Sequence, residues 1–162
     1  MTPTTRDQLW LENRLQLVWR RGFSDLVPLN KVQIQYGQSA RTRLGSIRMS
    51  RDGKVSKILI NKLYQLPQVP LEVVDCTIGH ELTHYLHGFS SPLKQRYKTP
   101  HAGGVVTKEL TGRGFGADLL IQKRWLKEEW PRLLKANVSI VRRRPRRRSR
   151  SSFLKRLRRA LI

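Results

Sequence analysis

Residues 79–88 read GHELTHYLHG, and their reading decides the fold. They hold His80, His84 and His87, three of the chain's four histidines; the fourth is His101. On a helix turning about 100° per residue, His84 lies about 40° round from His80 and about 6 Å further along, so both imidazoles can reach one ion. Leu71, Val74, Ile78, Leu82 and Tyr85 gather on the opposite side. Glu81 falls on the flank between the two stripes. The plainer alternative is a helix whose surface histidines bind nothing. Against it, the His-Glu-x-x-His pattern sits on a helix predicted independently from Pro70 to His87, with Glu72 in the first turn and Gly88 as its stop.

Two histidines do not complete a metal site. Catalytic zinc takes three protein ligands and leaves a fourth position to water, which it acidifies. A carboxylate beside that position can take the proton as the water attacks a carbonyl. Glu81 is the candidate base and His80 and His84 are two candidate ligands. For the third, the metzincin continuation fails, because His87 occupies its glycine slot and Ser90 its histidine slot. His87 lies on the face of His80 and His84 but about 10 Å from His80 along the axis, and a last-turn ring favoured by the helix C-terminus is its plainer role. Glu109 is an acid on a following helix, beside Lys108, with a surface ion pair as its plainer role. His101 is preferred: seventeen residues after His84, it follows a loop long enough for the chain to reverse, and Gly103 and Gly104 permit close approach.

Working outward, residues 5–21 are predicted as an amphipathic helix ended by Gly22, with Leu9, Leu11, Leu15, Val18 and Trp19 recurring at roughly helical spacing. Three strands are expected at Val32–Tyr36, Arg43–Met49 and Val55–Ile60, the last two joined by a hairpin turn at Asp52-Gly53. Thr99 and Pro100 are expected to cap and open a helix with His101 in its first turn. A last helix is predicted from about Asp118 to Trp130. The fold class is therefore α+β, a short antiparallel or mixed sheet packed on the His-Glu-x-x-His helix and its flanking helices. Residues 1–137 form one domain and residues 138–162 a basic tail.

Charge sets the second theme. The chain of 162 residues carries 33 Lys+Arg against 11 Asp+Glu, a net +22. Residues 141–162 contribute half of this excess, as RRRPRRRSR followed by an amphipathic, basic segment from Phe153. Arg142, Arg143, Arg144, Arg146, Arg147, Arg148 and Arg150 suit the phosphates of nucleic acid without reading its sequence. An anionic membrane surface or an acidic partner, and a solvated tail without a function of its own, are the lesser alternatives. The single cysteine, Cys76, excludes a disulfide framework and CxxC metal modules; it is expected to be a packed thiol in a reducing, cytoplasmic setting. No signal peptide or membrane-spanning run is expected.

The lead-in LGSIRMSRDGKVSKILINKLYQLP, then VDCTIGHELTHYLHG, then PHAGG resemble the SprT-like zinc metallopeptidases, the Spartan family, over residues 30–112. The resemblance implies a zincin-like domain, one Zn2+ per chain held by His80, His84 and His101, Glu81 as catalytic base, and protein substrates on or near DNA. It also implies Val55–Ile60 as the edge strand beside the cleft, where an extended substrate pairs. Tyr97 is a candidate for stabilising the oxyanion, against a plainer role as a loop aromatic. Here His101 is followed by Ala-Gly-Gly where the family often has Gly, and Cys76 alone cannot build the zinc ribbon that many members append. The reading is a zinc metallopeptidase. Its rivals are a non-catalytic nucleic-acid-binding protein with a structural zinc and a metallohydrolase acting on something other than peptides.

Overall fold

The computed structural model describes residues 6–137 and 139. Helix α1 (Gln8–Gly22) starts where the Asp7 side chain accepts a hydrogen bond from the Trp10 amide at 2.8 Å, an N-cap that the apolar periodicity did not register. Leu11, Leu15 and Val18 are buried as expected, whereas Leu9 is exposed and Trp19 only partly buried. The three strands follow as β1 (Lys31–Tyr36), β2 (Gly45–Met49) and β3 (Val55–Ile60). Helix α2 (Leu71–Leu86) carries the histidine motif, and α3 (Val105–Leu110), α4 (Gly116–Glu128) and α5 (Trp130–Ala136) complete the fold. α4 matches the predicted last helix, and α5, with Pro131 in its first turn, is a further helix beyond the predicted end at Trp130. The tail from 140 onward, with the seven arginines Arg142 to Arg150, lies outside the described residues. Among the described residues no helix is long and apolar enough to cross a membrane.

The sheet is small and mixed, in the order β1-β3-β2. β3 pairs parallel with β1 and antiparallel with β2. The expectation that Val55–Ile60 is the edge strand is therefore corrected: β3 is central, and β2 is the edge that packs on α2. The hairpin fixes the β2–β3 pairing locally, but β1 docks on the far side of β3 through a long-range parallel match that no local signal specifies. Ile34, Ile58 and Ile60 face the helices and are buried.

α2 is the core of the domain rather than one wall of it. Val73 to Gly79 and Glu81 to Leu86 are all buried, whereas Leu71, expected on the apolar stripe, is exposed. The cause is packing on several sides, by α1, α3, α4, β2 and β3. Polar groups on the buried helix are matched in turn. Arg14 of α1 meets Asp75 with a two-point salt bridge, and the Thr83 hydroxyl donates to the Gly79 carbonyl at 2.9 Å. The helix ends as predicted at Gly88, φ +82°. Its amide donates to Tyr85 O at 3.0 Å and that of Phe89 to His84 O at 2.9 Å, the bond pair of a Schellman stop.

Candidate metal centre and its cleft

His80 and His84 leave α2 on the one side that opens outward, with His80 half-buried and His84 buried. His101 comes to meet them from the loop after Ser90, and the three rings offer nitrogens all within 4.8 Å of one another. His80 Nε2 and His101 Nε2 are 3.1 Å apart. The His84 ring stands 4.6 Å from that of His80 and 4.7 Å from that of His101, centre to centre. Three imidazoles so placed can hold a metal ion.

Their electrostatics fit that task. Burial lowers the His80 pKa to about 4, helped by His101. Burial also lowers that of His84 to about 3, helped by His80, His101 and His87. Both rings are therefore neutral at pH 7, with lone pairs free to bind a cation.

His101 arrives by a different route from the one expected. Thr99 and Pro100 open no α-helix; a single 3-10 turn spans Ala102–Gly104, and α3 starts only at Val105. Gly103 and Gly104 adopt φ of +60° and +70°, and two successive left-handed residues cannot continue a right-handed helix. His101 is thus an exposed loop residue immediately before the turn, able to lean across to His80.

Glu81 is 5% exposed, and burial pushes its carboxyl up to about 8. The first residue of β2 explains how it fits. A Cβ on Gly45 would lie 2.7 Å from Glu81 Oε1 and 2.9 Å from Thr77 Cγ2; only a residue without a side chain lets the edge strand pass this close. Glu81 and His80 both open onto a cleft of about 1250 Å³, walled by β2 and by residues 37–44. That wall is pinned from below. Asn61 Nδ2 donates to Ala40 O at 2.7 Å and to Arg43 O at 2.9 Å, and Trp130 Nε1 donates to Arg41 O at 2.9 Å. Gln122 reaches the cleft from α4, donating to Thr77 Oγ1 at 3.2 Å. Gly45, Asn61, Gln122 and Trp130 were not singled out in the sequence. Asn61, a polar residue directly after a predicted strand, carried the clearest local signal.

The remaining candidates lie apart from the three histidines. His87 is fully buried, its Nε2 3.4 Å from Glu109 Oε2 and its ring 4.8 Å from that of Tyr97. Glu109 also accepts from Arg113 Nε at 2.7 Å, and Arg113 in turn holds Asp25. Burial alone would raise the Glu109 carboxyl, but these hydrogen bonds hold it below its ordinary value. Glu109 is thus committed to a structural network, more than the surface ion pair expected of it. Tyr97 packs on His87 and does not line the cleft of Glu81. Cys76 is buried, and burial raises its thiol to about 12, in keeping with a packed thiol. No protein-family model, curated protein or solved structure matches this chain.

Proposed function

We propose that this chain is a zinc-dependent endopeptidase of the SprT-like, zincin-type group, held near nucleic acid by its basic tail. The observation that carries the reading is the junction of three features. His80 of the three-histidine cluster, a buried carboxyl at Glu81 and an unpaired strand edge all meet at one cleft. The donor set suits zinc, since nitrogens about 2.0–2.1 Å from one tetrahedral ion lie about 3.3 Å apart, close to the 3.1 Å between His80 and His101. When bound, zinc supplies Lewis-acid chemistry, acidifying water and polarising a carbonyl.

The chain's own residues supply the rest. The Leu44 carbonyl accepts from Asn61 N and the Ser50 amide donates to Val55 O. Even-numbered residues of β2 therefore face β3, and the peptide groups of Gly45, Ile47 and Met49 point to the open edge. An extended peptide can add there as a further strand, with main-chain hydrogen bonds fixing its register. Glu81, beneath Gly45, is the group that would take a proton from water and return it to the leaving amine, once the charge of a bound cation brings its carboxyl down from about 8. A substrate lying on or near DNA follows from the family resemblance and the charge of the tail.

The test is metal removal. An unfolded protein should be degraded by the zinc-loaded chain, the activity should be lost on chelation, and stoichiometric zinc should restore it. Failure to degrade any protein, with or without DNA, overturns the peptidase reading. A second result should follow from Gly45. Replacing it with valine displaces the Glu81 carboxyl while leaving the histidines in place, so kcat should fall by about 10- to 100-fold at unchanged zinc content.

A further inference from the structure

The cleft has a charge pattern that the proposed chemistry does not require. Arg41, Arg43 and Arg48 line it, and Glu81 is its only acid. All three arginines are exposed, and among the described residues none makes an ion pair or donates a side-chain hydrogen bond. By contrast Arg14, Arg21 and Arg113 each hold a carboxylate elsewhere in the domain. Arg41 and Arg43 are held over the cleft because the backbone carbonyls of these same residues are the ones that Trp130 and Asn61 pin. Arg48 lies on the edge strand itself, three residues along from Gly45.

We infer that the cleft selects extended peptides bearing acidic side chains next to the bond that is cut, with Arg41, Arg43 and Arg48 as the specificity-determining residues. This rests on the peptidase reading and specifies its substrate class. Guanidinium groups pair two-pronged with carboxylates, and the open backbone of Gly45, Ile47 and Met49 fixes where along the strand those carboxylates fall. The same arginines would attract phosphates, but the geometry favours a peptide. A strand edge recognises peptide groups, and the cleft offers no aromatic platform for bases beyond Tyr36, whose hydroxyl is buried. Selection against basic peptides follows from the same charges.

The experiment compares acidic, neutral and basic versions of one extended peptide, using the full chain and Arg41→Glu/Arg48→Glu. The basic tail is common to both proteins, so only their difference counts. Binding is read by fluorescence anisotropy with zinc-loaded Glu81→Gln as the background, and cut positions by mass spectrometry with active protein. The acidic peptide should bind about 5- to 20-fold more tightly than the basic one at low salt. That gap should shrink in about 0.5 M salt and reverse in the double variant, and cuts should fall beside Asp or Glu. Cleavage without charge preference, or a preference the double variant leaves intact, overturns this inference but leaves the peptidase reading standing. Charge-selective binding without any cleavage overturns the peptidase reading and leaves the cleft only as a binding site for acidic peptides. Peptides that fail to bind while single-stranded DNA binds and is lost in the double variant assign the cleft to nucleic acid and overturn it.

Discussion

Glu81→Gln should abolish proteolysis while the protein still binds one zinc per chain. A positioned general base contributes about 10²- to 10⁴-fold, so kcat should fall by at least the lower figure, and glutamine fills the same space without accepting a proton. The metal-free protein provides a second readout, that of the buried carboxyl itself. Burial raises the Glu81 carboxyl to about 8, above the value of about 4.3 expected in an unfolded chain. Between these values the folded state holds a proton that the unfolded state has lost. Stability is therefore greatest below the unfolded value and falls as pH rises through about 8. Glutamine carries no such dependence. In chelator, the wild type should lose melting temperature from about pH 4 to about pH 8 relative to Glu81→Gln, and the two should converge near pH 4. Loss of zinc in Glu81→Gln would recast this residue as part of the binding site, and retained proteolysis would remove it from the mechanism.

The histidine pair on α2 and the end of that helix were legible because helical geometry is local. Spacing of four residues places two rings together whatever surrounds them, and Gly88 marks the stop for backbone reasons alone. The burial of α2 was not legible. Periodicity assumes one apolar face, yet Asp75, Thr77, Glu81 and Thr83 are buried here beside Val73 and Leu82, because partners surround the helix. Sheet order failed for a related reason. The Asp52-Gly53 turn determines one pairing, but whether β2 or β3 ends up at the edge depends on where β1 docks, a long-range choice. The consequence reaches the site, since the edge strand carries Gly45 and sets the distance of Glu81 from the cleft wall. His101 illustrates the opposite case, a residue found by its separation from His84 although its local structure was misjudged. Loop length governs whether it can return; Gly103 and Gly104 govern the conformation in which it does.

His101→Ala and His87→Ala should separate metal binding from stability in opposite directions. His101 is exposed, sits in a loop and touches the other two histidines, so its removal takes away one nitrogen and little packing. Changing the outer partners of a metal ligand already costs about 10- to 100-fold in affinity. Loss of a ligand itself should exceed that, leaving the variant without zinc after dialysis. Its metal-free melting temperature should match the wild type, since exposed substitutions away from packed groups usually fall within about 0.5 kcal/mol. His87 is fully buried between Glu109 and Tyr97, and it lies outside the three-histidine cluster. Alanine there leaves a cavity and frees one hydrogen-bonded carboxylate oxygen, a loss of about 2–4 kcal/mol, yet zinc should remain at one per chain. Elemental analysis and thermal melts of the two variants read both quantities. Zinc retained by His101→Ala would move the third ligand off the loop and detach Glu81 from the geometry that makes it a base. Zinc lost by His87→Ala in protein that still melts cooperatively would show that the buried network positions α2 for the metal, rather than only holding the fold together.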